Sequence, residues 1–433
     1  MPKVPPPHPL LSAVPEWYAH GLPHIWLPYT QMATTPAPLP VRSVLGSRIV
    51  LEDGRELIDG IASWWTACHG YRHPRLVEAM KAQLDAVPHV MFGGLVHAPA
   101  LRLASRLAAL LPGDLSRVFF SESGSVSVEV AMKVALQYHR LRGRPERHRF
   151  VSFLGGYHGD TLGTMAVADP EEGMHTLFQH VLRKEQVVPL PSTAAEVAEF
   201  RAMLLRERDE IAAVLIEPLV QGAGGMRFHS VDMLRAIAAA CRDADVLFIA
   251  DEIFVAFGRT GAMFATAEAD VTPDIITLSK ALTGGTAPLA ATVVREELAD
   301  AFWTDDPEDA LMHGPTYMGH ALGCAAANAS LDLFESEPRL VEARAMETRL
   351  EEGLGDLRSL ERVVDVRCRG AIGVVQLEHL ADVESWKQAL IRAGVWVRPF
   401  GNIVYVTPAL NIPDEDLTTL LEGVAATVRT LAG

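Results

Sequence analysis

From about residue 70 the chain alternates two textures, and this alternation constrains the fold more than any other feature. Short runs that are apolar at nearly every position, at 118–121, 150–154, 213–217, 246–251, 275–279 and 290–294, are separated by amphipathic stretches of helical length. A strand that alternates apolar and polar residues has one wet face. A run apolar throughout suits a strand buried on both faces, as in a parallel sheet with helices on either side. The order of the runs predicts a doubly wound α/β domain. Upstream, GSRIVLEDGRELID at 46–59 predicts a hairpin turning at Asp53-Gly54, and residues 1–23 form a proline-rich, extended arm. After Pro338 come a long charged helix, a β-like segment at 371–378, a helix, a β-like segment at 403–407 and a last helix. A chain of 433 residues exceeds what one compact core holds. We therefore expect a large domain at 63–336 and a smaller α+β domain at 337–433, the latter joined by part of the arm segment 1–62.

The 38 basic residues divide into 32 arginines and six lysines, so each lysine can be weighed. Lys3 lies in the arm, Lys81, Lys133 and Lys387 in helical stretches, and Lys184 in a charged turn. Lys280 follows the apolar run DIITLS and precedes Ala281-Leu282-Thr283-Gly284-Gly285. The carboxyl end of a buried strand before a glycine-rich turn is where open α/β sheets bind ligands. Burial there lowers an amine's pKa, as Schiff-base chemistry requires. On position alone, a lysine snorkelling from a strand end fits as well.

Asp251 separates these readings. It closes the run VLFIAD and Glu252 follows it, and two carboxylates at the end of an apolar strand are costly without partners. A pyridoxal-phosphate site supplies one, because an aspartate facing the pyridine nitrogen keeps it protonated and the ring electron-accepting. A metal-binding Asp-Glu pair is the competing reading. No histidine-rich or carboxylate-rich set accompanies it, and no metal is expected.

A phosphate needs a cradle, and RVFF leads into Ser121-Glu122-Ser123-Gly124-Ser125 with a helix predicted from about Val126. Amides at a helix N-terminus beside a serine hydroxyl form an anion site, although a plain serine cap has the same appearance. A dinucleotide fingerprint is missing, since Gly222-Ala223-Gly224-Gly225 lacks the third spacing. In Gly155-Gly156-Tyr157-His158-Gly159-Asp160 the tyrosine is placed to stack on a flat ring or to fill a turn, and His158 is read as structural. Tyr29, Trp64 and Trp65 are aromatics in or beside loops, where packing is the default.

Taken as a set, GSVSVEVAMKVALQ (124–137), GGYHGDTLG (155–163), IEPLVQGAGGM (216–226), IADEIFVAFGRTG (249–261) and LSKALTGG (278–285) resemble the class III pyridoxal-phosphate aminotransferases of fold type I. A second set is similar to the branch of that family that acts in biotin synthesis: IWLPYT (25–30), SWW (63–65), HVMFGGLVHAPA (89–100), MHGPTYMG (312–319) and GVWVRPFGN (394–402). The resemblance implies transamination of 8-amino-7-oxononanoate to 7,8-diaminononanoate, with S-adenosylmethionine as the expected amino donor and lysine as the other known one. Another class III activity, on ω-amino acids or diamines, is the alternative.

The resemblance also implies residue roles. Lys280 holds the cofactor covalently and moves the proton, and Asp251 pairs with the pyridine nitrogen. Gly124, Ser125 and Glu217 belong to the cofactor site, and Tyr157 covers the ring. Pro315 and Thr316 reach the phosphate from the neighbouring subunit of a homodimer. Tyr29, Trp64, Trp65, Tyr157 and Gly314 touch substrate, and Arg398 takes the carboxylate of the keto acid. Asp160 and Arg259 are further candidates for the substrate shell. Two departures stand out: Ala256 replaces a usual glycine, and Thr407-Pro408-Ala409-Leu410 replaces a usual Pro-Pro-Tyr.

Bulk properties narrow the partners. A net charge of −16 opposes nucleic-acid binding, which needs a basic face. The four cysteines, Cys68, Cys241, Cys324 and Cys368, are scattered, as in a reduced cytoplasmic protein. No run approaches membrane-span length and the N-terminus does not read as a signal peptide. Small-molecule substrates and a cytoplasmic location are expected.

Overall fold

The computed structural model describes residues 3–11, 13–170 and 176–432. Residues 1, 2 and 12 of the expected arm, 171–175 of the expected large domain and 433 of the expected small domain lie outside it. At its centre is a seven-stranded sheet in the order Leu115–Ser121, Ala290–Arg295, Ile275–Leu278, Leu247–Asp251, Ile211–Ile216, Arg149–Phe153, Gln186–Val188. The six apolar runs of the sequence are six of these strands. Strands Ile211–Ile216, Leu247–Asp251 and Ile275–Leu278 are buried at every residue, which is why they carry no alternation. They run parallel to their partners within the group, as do Arg149–Phe153 and Gln186–Val188. Ala290–Arg295 differs, pairing antiparallel with both neighbours. The sheet is mixed, with one reversed strand.

Helix Gly124–Leu141 packs one face of this sheet through Val128, Ala131, Val134 and Ala135, against Ile249, Ile275 and Leu215. Ser123 caps its N-terminus by accepting from the amide of Val126, so the helix begins at Gly124, two residues before the predicted start. The opposite face joins the main core, which runs on to Leu350, Val374, Tyr405 and Leu420.

The two ends of the chain meet in a four-stranded sheet. Val41–Leu45, Arg48–Leu51 and Glu56–Asp59 form an antiparallel meander, and Val395–Trp396 adds in parallel to Glu56–Asp59. The expected hairpin is therefore present, with one more strand before it. A three-stranded antiparallel sheet follows the charged helix Arg339–Leu354: Val363–Arg369, Ile372–Leu377 and Ile403–Val406. Its first strand was not expected, because VVDVRCR mixes charges into a half-exposed edge. The arm is not extended throughout either: Glu16–Gly21 is helical and Leu22–His24 a 3₁₀ turn. Among the described residues no helix is long and apolar enough to cross a membrane.

Candidate active site

The carboxyl ends of the parallel strands converge on one place. Asp251 ends its strand, Lys280 follows Leu278 by two residues, Glu217 follows Ile216, and Gly155-Gly156-Tyr157-His158 follows Phe153. Lys280 has a left-handed backbone, φ 47°, and its Nζ stands 4.5 Å from the ring centre of Trp65 and 5.9 Å from that of Phe254. Burial pushes the amine down to about 8, against the upward pull of Asp251 and Glu217.

Asp251 is buried and fully engaged. One oxygen, Oδ2, lies 2.7 Å from His158 Nδ1, and the other accepts from Ile253 N at 3.1 Å and Thr277 Oγ1 at 3.2 Å. Glu217 accepts from the amides of Tyr157 and Gly222, each at 2.9 Å, and burial raises its pKa to about 7 while His158 opposes the rise. Glu252 turns the other way. It accepts from Ala265 N (2.8 Å), Thr266 N (2.7 Å) and Thr266 Oγ1 (2.6 Å) at the start of helix Ala265–Glu268. The second strand-end carboxylate is thus a capping group rather than part of the site.

Beside this cluster, Gly124 and Ser125 begin their helix, whose first amides have no partner within it. A Cβ on Gly124 would lie 2.9 Å from Ile253 Cδ1. The Ser125 hydroxyl is held by Thr161 Oγ1 (2.9 Å) and Thr164 Oγ1 (3.1 Å) and accepts from Thr161 N at 3.0 Å. Anion binding here falls to the helix amides first.

The outer wall is aromatic. Asp160 accepts from the hydroxyls of Tyr29 and Tyr157, the latter at 3.0 Å. Tyr29 meets Trp64 edge-on with centroids 6.3 Å apart, and the Arg398 guanidinium lies 4.6 Å from the centre of the same indole. Trp65 packs on Phe254 at 4.4 Å and on Tyr405 at 6.3 Å. Arg259 is enclosed behind the site, donating from Nη1 to the carbonyls of Pro408 (2.8 Å) and Ala371 (3.1 Å). Ala256 has a negative φ, so its methyl causes no backbone strain, and Ala409 and Leu410 face the core.

Three expected residues are not joined to this cluster. Gly314 and Thr316 are exposed, Pro315 is half-buried, and none of the three hydrogen-bonds to Lys280 or Asp251. Conversely, His158 and Thr277 hold Asp251 but were not singled out as site residues. The position of His158 directly after Tyr157 in a post-strand turn was the available signal. Among the described residues no group of three or more His, Cys, Asp or Glu is placed to hold a metal ion.

Residues 29–428 match the family model described as aminotransferase class-III. The chain belongs to the class III aminotransferases. One curated class III relative, the adenosylmethionine-8-amino-7-oxononanoate aminotransferase of Corynebacterium glutamicum, is 42% identical over 411 residues, covering 94% of this chain and 97% of its own. The solved adenosylmethionine-8-amino-7-oxononanoate aminotransferase of Methanocaldococcus jannaschii superposes with a TM-score of 0.88 at 31% identity, covering 96% and 98% of the two chains. A PLP-bound amine transaminase from an uncultivated Pseudomonas species gives 0.87 at 30% identity, with 95% and 99% covered. The mixed sheet is therefore that of a class III aminotransferase.

Proposed function

We propose that this enzyme moves an amino group from S-adenosylmethionine to 8-amino-7-oxononanoate, yielding 7,8-diaminononanoate, with pyridoxal 5′-phosphate carried on Lys280. The family and a PLP-bound neighbour imply the cofactor. The residues fit it: an amine of lowered pKa, an anchored buried carboxylate and a helix N-terminus where a Cβ on Gly124 would press on Ile253. Bound, the cofactor supplies an aldehyde that condenses with amines and a ring that takes up electron density.

The protein does the rest. Lys280 Nζ, with its pKa lowered to about 8 by burial, accepts and returns a proton. Asp251 Oδ, fixed by His158, Thr277 and Ile253, holds a proton on a ring nitrogen. The amides of Gly124 and Ser125 bind a phosphate. Tyr157, tethered through Asp160 to Tyr29, closes one side against water, and Tyr29 and Trp65 wall the substrate space. We further propose that Gly314, Pro315 and Thr316 complete the site of a second copy in a homodimer working in the cytoplasm.

The observation that carries the keto-acid assignment is Arg398. Its guanidinium lies on Trp64, is half-buried, and forms no ion pair with an acidic side chain among the described residues. A half-buried cation without an anion is suited to a ligand carboxylate at the end of an apolar chain. The names of the relatives point the same way.

The test is a single-turnover assay. The borohydride-reduced holoenzyme should carry its label on Lys280. S-adenosylmethionine should convert the holoenzyme to its amino form, which 8-amino-7-oxononanoate then discharges. Conversion by lysine in place of S-adenosylmethionine would change the donor. Discharge by ω-keto acids or aldehydes only would favour the ω-amino-acid or diamine reading.

A further inference from the structure

We infer that Asp59 is a positioning residue for both Lys280 and Arg398, acting through a strained left-handed turn that carries Trp64 and Trp65; the inference rests on the roles proposed for those two cations. Four consecutive residues have positive φ: Ala62 (45°), Ser63 (50°), Trp64 (56°) and Trp65 (73°). None is glycine, and each L residue in this region crowds its Cβ against its own backbone. One such residue is common enough. A run of four persists only where the surroundings impose it.

Asp59 is what imposes it. It is buried at the end of strand Glu56–Asp59, and its carboxylate accepts three hydrogen bonds. Ile61 N donates to Oδ1 at 2.9 Å, Ser63 N to Oδ2 at 2.7 Å, and Tyr71 OH to Oδ2 at 2.6 Å. The turn then closes on itself, from Trp65 N to Ile61 O (2.8 Å) and Thr66 N to Ala62 O (2.9 Å). A carboxylate offers two acceptor oxygens and no donor, which matches this set of three donors.

The turn sends its two indoles to different partners. Trp65 lies beneath the Lys280 amine and Trp64 beneath the Arg398 guanidinium. Arg398 itself leaves from the strand Val395–Trp396, whose Trp396 is the register partner of Asp59 and whose carbonyl accepts from Gly60 N at 3.0 Å. One strand pair therefore launches both the indole platform and the cation that rests on it. If the turn relaxes, the floor under both cations moves together.

The experiment compares holoenzymes of Asp59→Asn, Tyr71→Phe and Asp59→Asn combined with Ala62→Gly and Ser63→Gly. Asparagine keeps the shape but turns one acceptor into a donor facing a donor. Asp59→Asn should raise the KM for the keto acid about tenfold, the scale of a modest misplacement of binding groups. It should also shift the pH midpoint of the cofactor's visible band. Tyr71→Phe, which removes a single donor, should give smaller changes of the same kind.

The glycine pair is the decisive arm, because glycine adopts left-handed backbone freely. If Asp59 acts by holding the turn, the two glycines should bring both the KM and the band midpoint back toward wild type. Failure of the glycine pair to restore either value would overturn the inference, as would an Asp59→Asn enzyme that matches wild type. Arg398→Ala is measured alongside. If it leaves the keto-acid KM unchanged, the functional reading falls and this inference with it. If it raises KM while Asp59→Asn does not, only this inference falls.

Discussion

His158 Nδ1 lies 2.7 Å from Asp251 Oδ2, and neither side chain reaches solvent. Burial alone would lower the imidazole's pKa, but the hydrogen bond and charge of Asp251, with the charge of Glu217, raise it overall. The pair is then a buried, charge-assisted contact that fixes the carboxylate proposed to face the cofactor. A hydrogen bond to a charged group is worth about 1.5–3 kcal/mol, so His158→Ala should cut kcat by roughly ten- to hundredfold. The sign of the pH dependence follows from the raised pKa. The pair's stabilisation of the folded chain is complete below the ordinary histidine value of 6.5 and fades as pH rises through the higher folded value. The Tm difference between the wild type and His158→Ala should therefore shrink from acid to alkaline pH. A difference that grows with pH, together with an unchanged kcat, would make His158 a packing residue.

A second prediction concerns Lys280, held down to about 8 by burial where an ordinary lysine has 10.5. Only the unprotonated amine attacks an aldehyde. Reductive labelling of the cofactor-free protein by pyridoxal phosphate should rise with pH, with its midpoint near 8 and a plateau above it. Labelling that keeps climbing toward 10.5 would describe an exposed, ordinary amine.

The sequence made the parallel strands legible because burial on both faces demands apolar side chains at every position, as at 211–216 and 247–251. Strand direction leaves no such trace, and the reversal of Ala290–Arg295 could not be read from AATVVR. Strand Val363–Arg369 stayed hidden because its half-exposed face accepts Asp365, Arg367 and Arg369. In the site, Lys280 and Asp251 stood out because ionisable groups are conspicuous at the ends of apolar runs. The turn at Ala62–Trp65 did not, since a left-handed segment without glycine has no local signature and is imposed from Asp59 and Tyr71. His158 was passed over for a related reason. A lone histidine gains its meaning from a carboxylate 93 residues away that only the fold brings near.

The third prediction tests the shared site. Gly314 and Thr316 are exposed in the single chain, as residues completing a neighbour's site would be. A chain with Lys280→Ala and a chain with Thr316→Ala should each be weak alone. In a mixed dimer one site carries both defects and the other none, so activity should return toward that of one intact site. Absence of recovery, with subunit exchange verified by differently tagged chains, would place Thr316 in its own subunit's site or in none.

The last prediction returns to Arg398. Burial lowers its pKa, yet an arginine remains charged at any working pH, so the half-buried guanidinium on Trp64 is suited to an anion. The keto acid brings one carboxylate at the far end of an apolar chain. The donor, S-adenosylmethionine, brings its own carboxylate next to the reacting amine, at a different distance from the amine of Lys280. One fixed cation is not expected to serve both equally. Arg398→Ala should weaken use of 8-amino-7-oxononanoate by roughly ten- to hundredfold, the worth of a charge-assisted bond of about 1.5–3 kcal/mol. Arg398→Lys keeps the charge but loses the planar fork that stacks on an indole, and it should recover only part of the loss. Single-turnover decay of the cofactor's visible band with S-adenosylmethionine alone isolates the donor half-reaction, which should change much less. The reverse pattern, a collapsed donor half-reaction with the keto-acid half-reaction intact, would assign Arg398 to the donor's carboxylate and leave the keto acid to be recognised elsewhere on the aromatic wall.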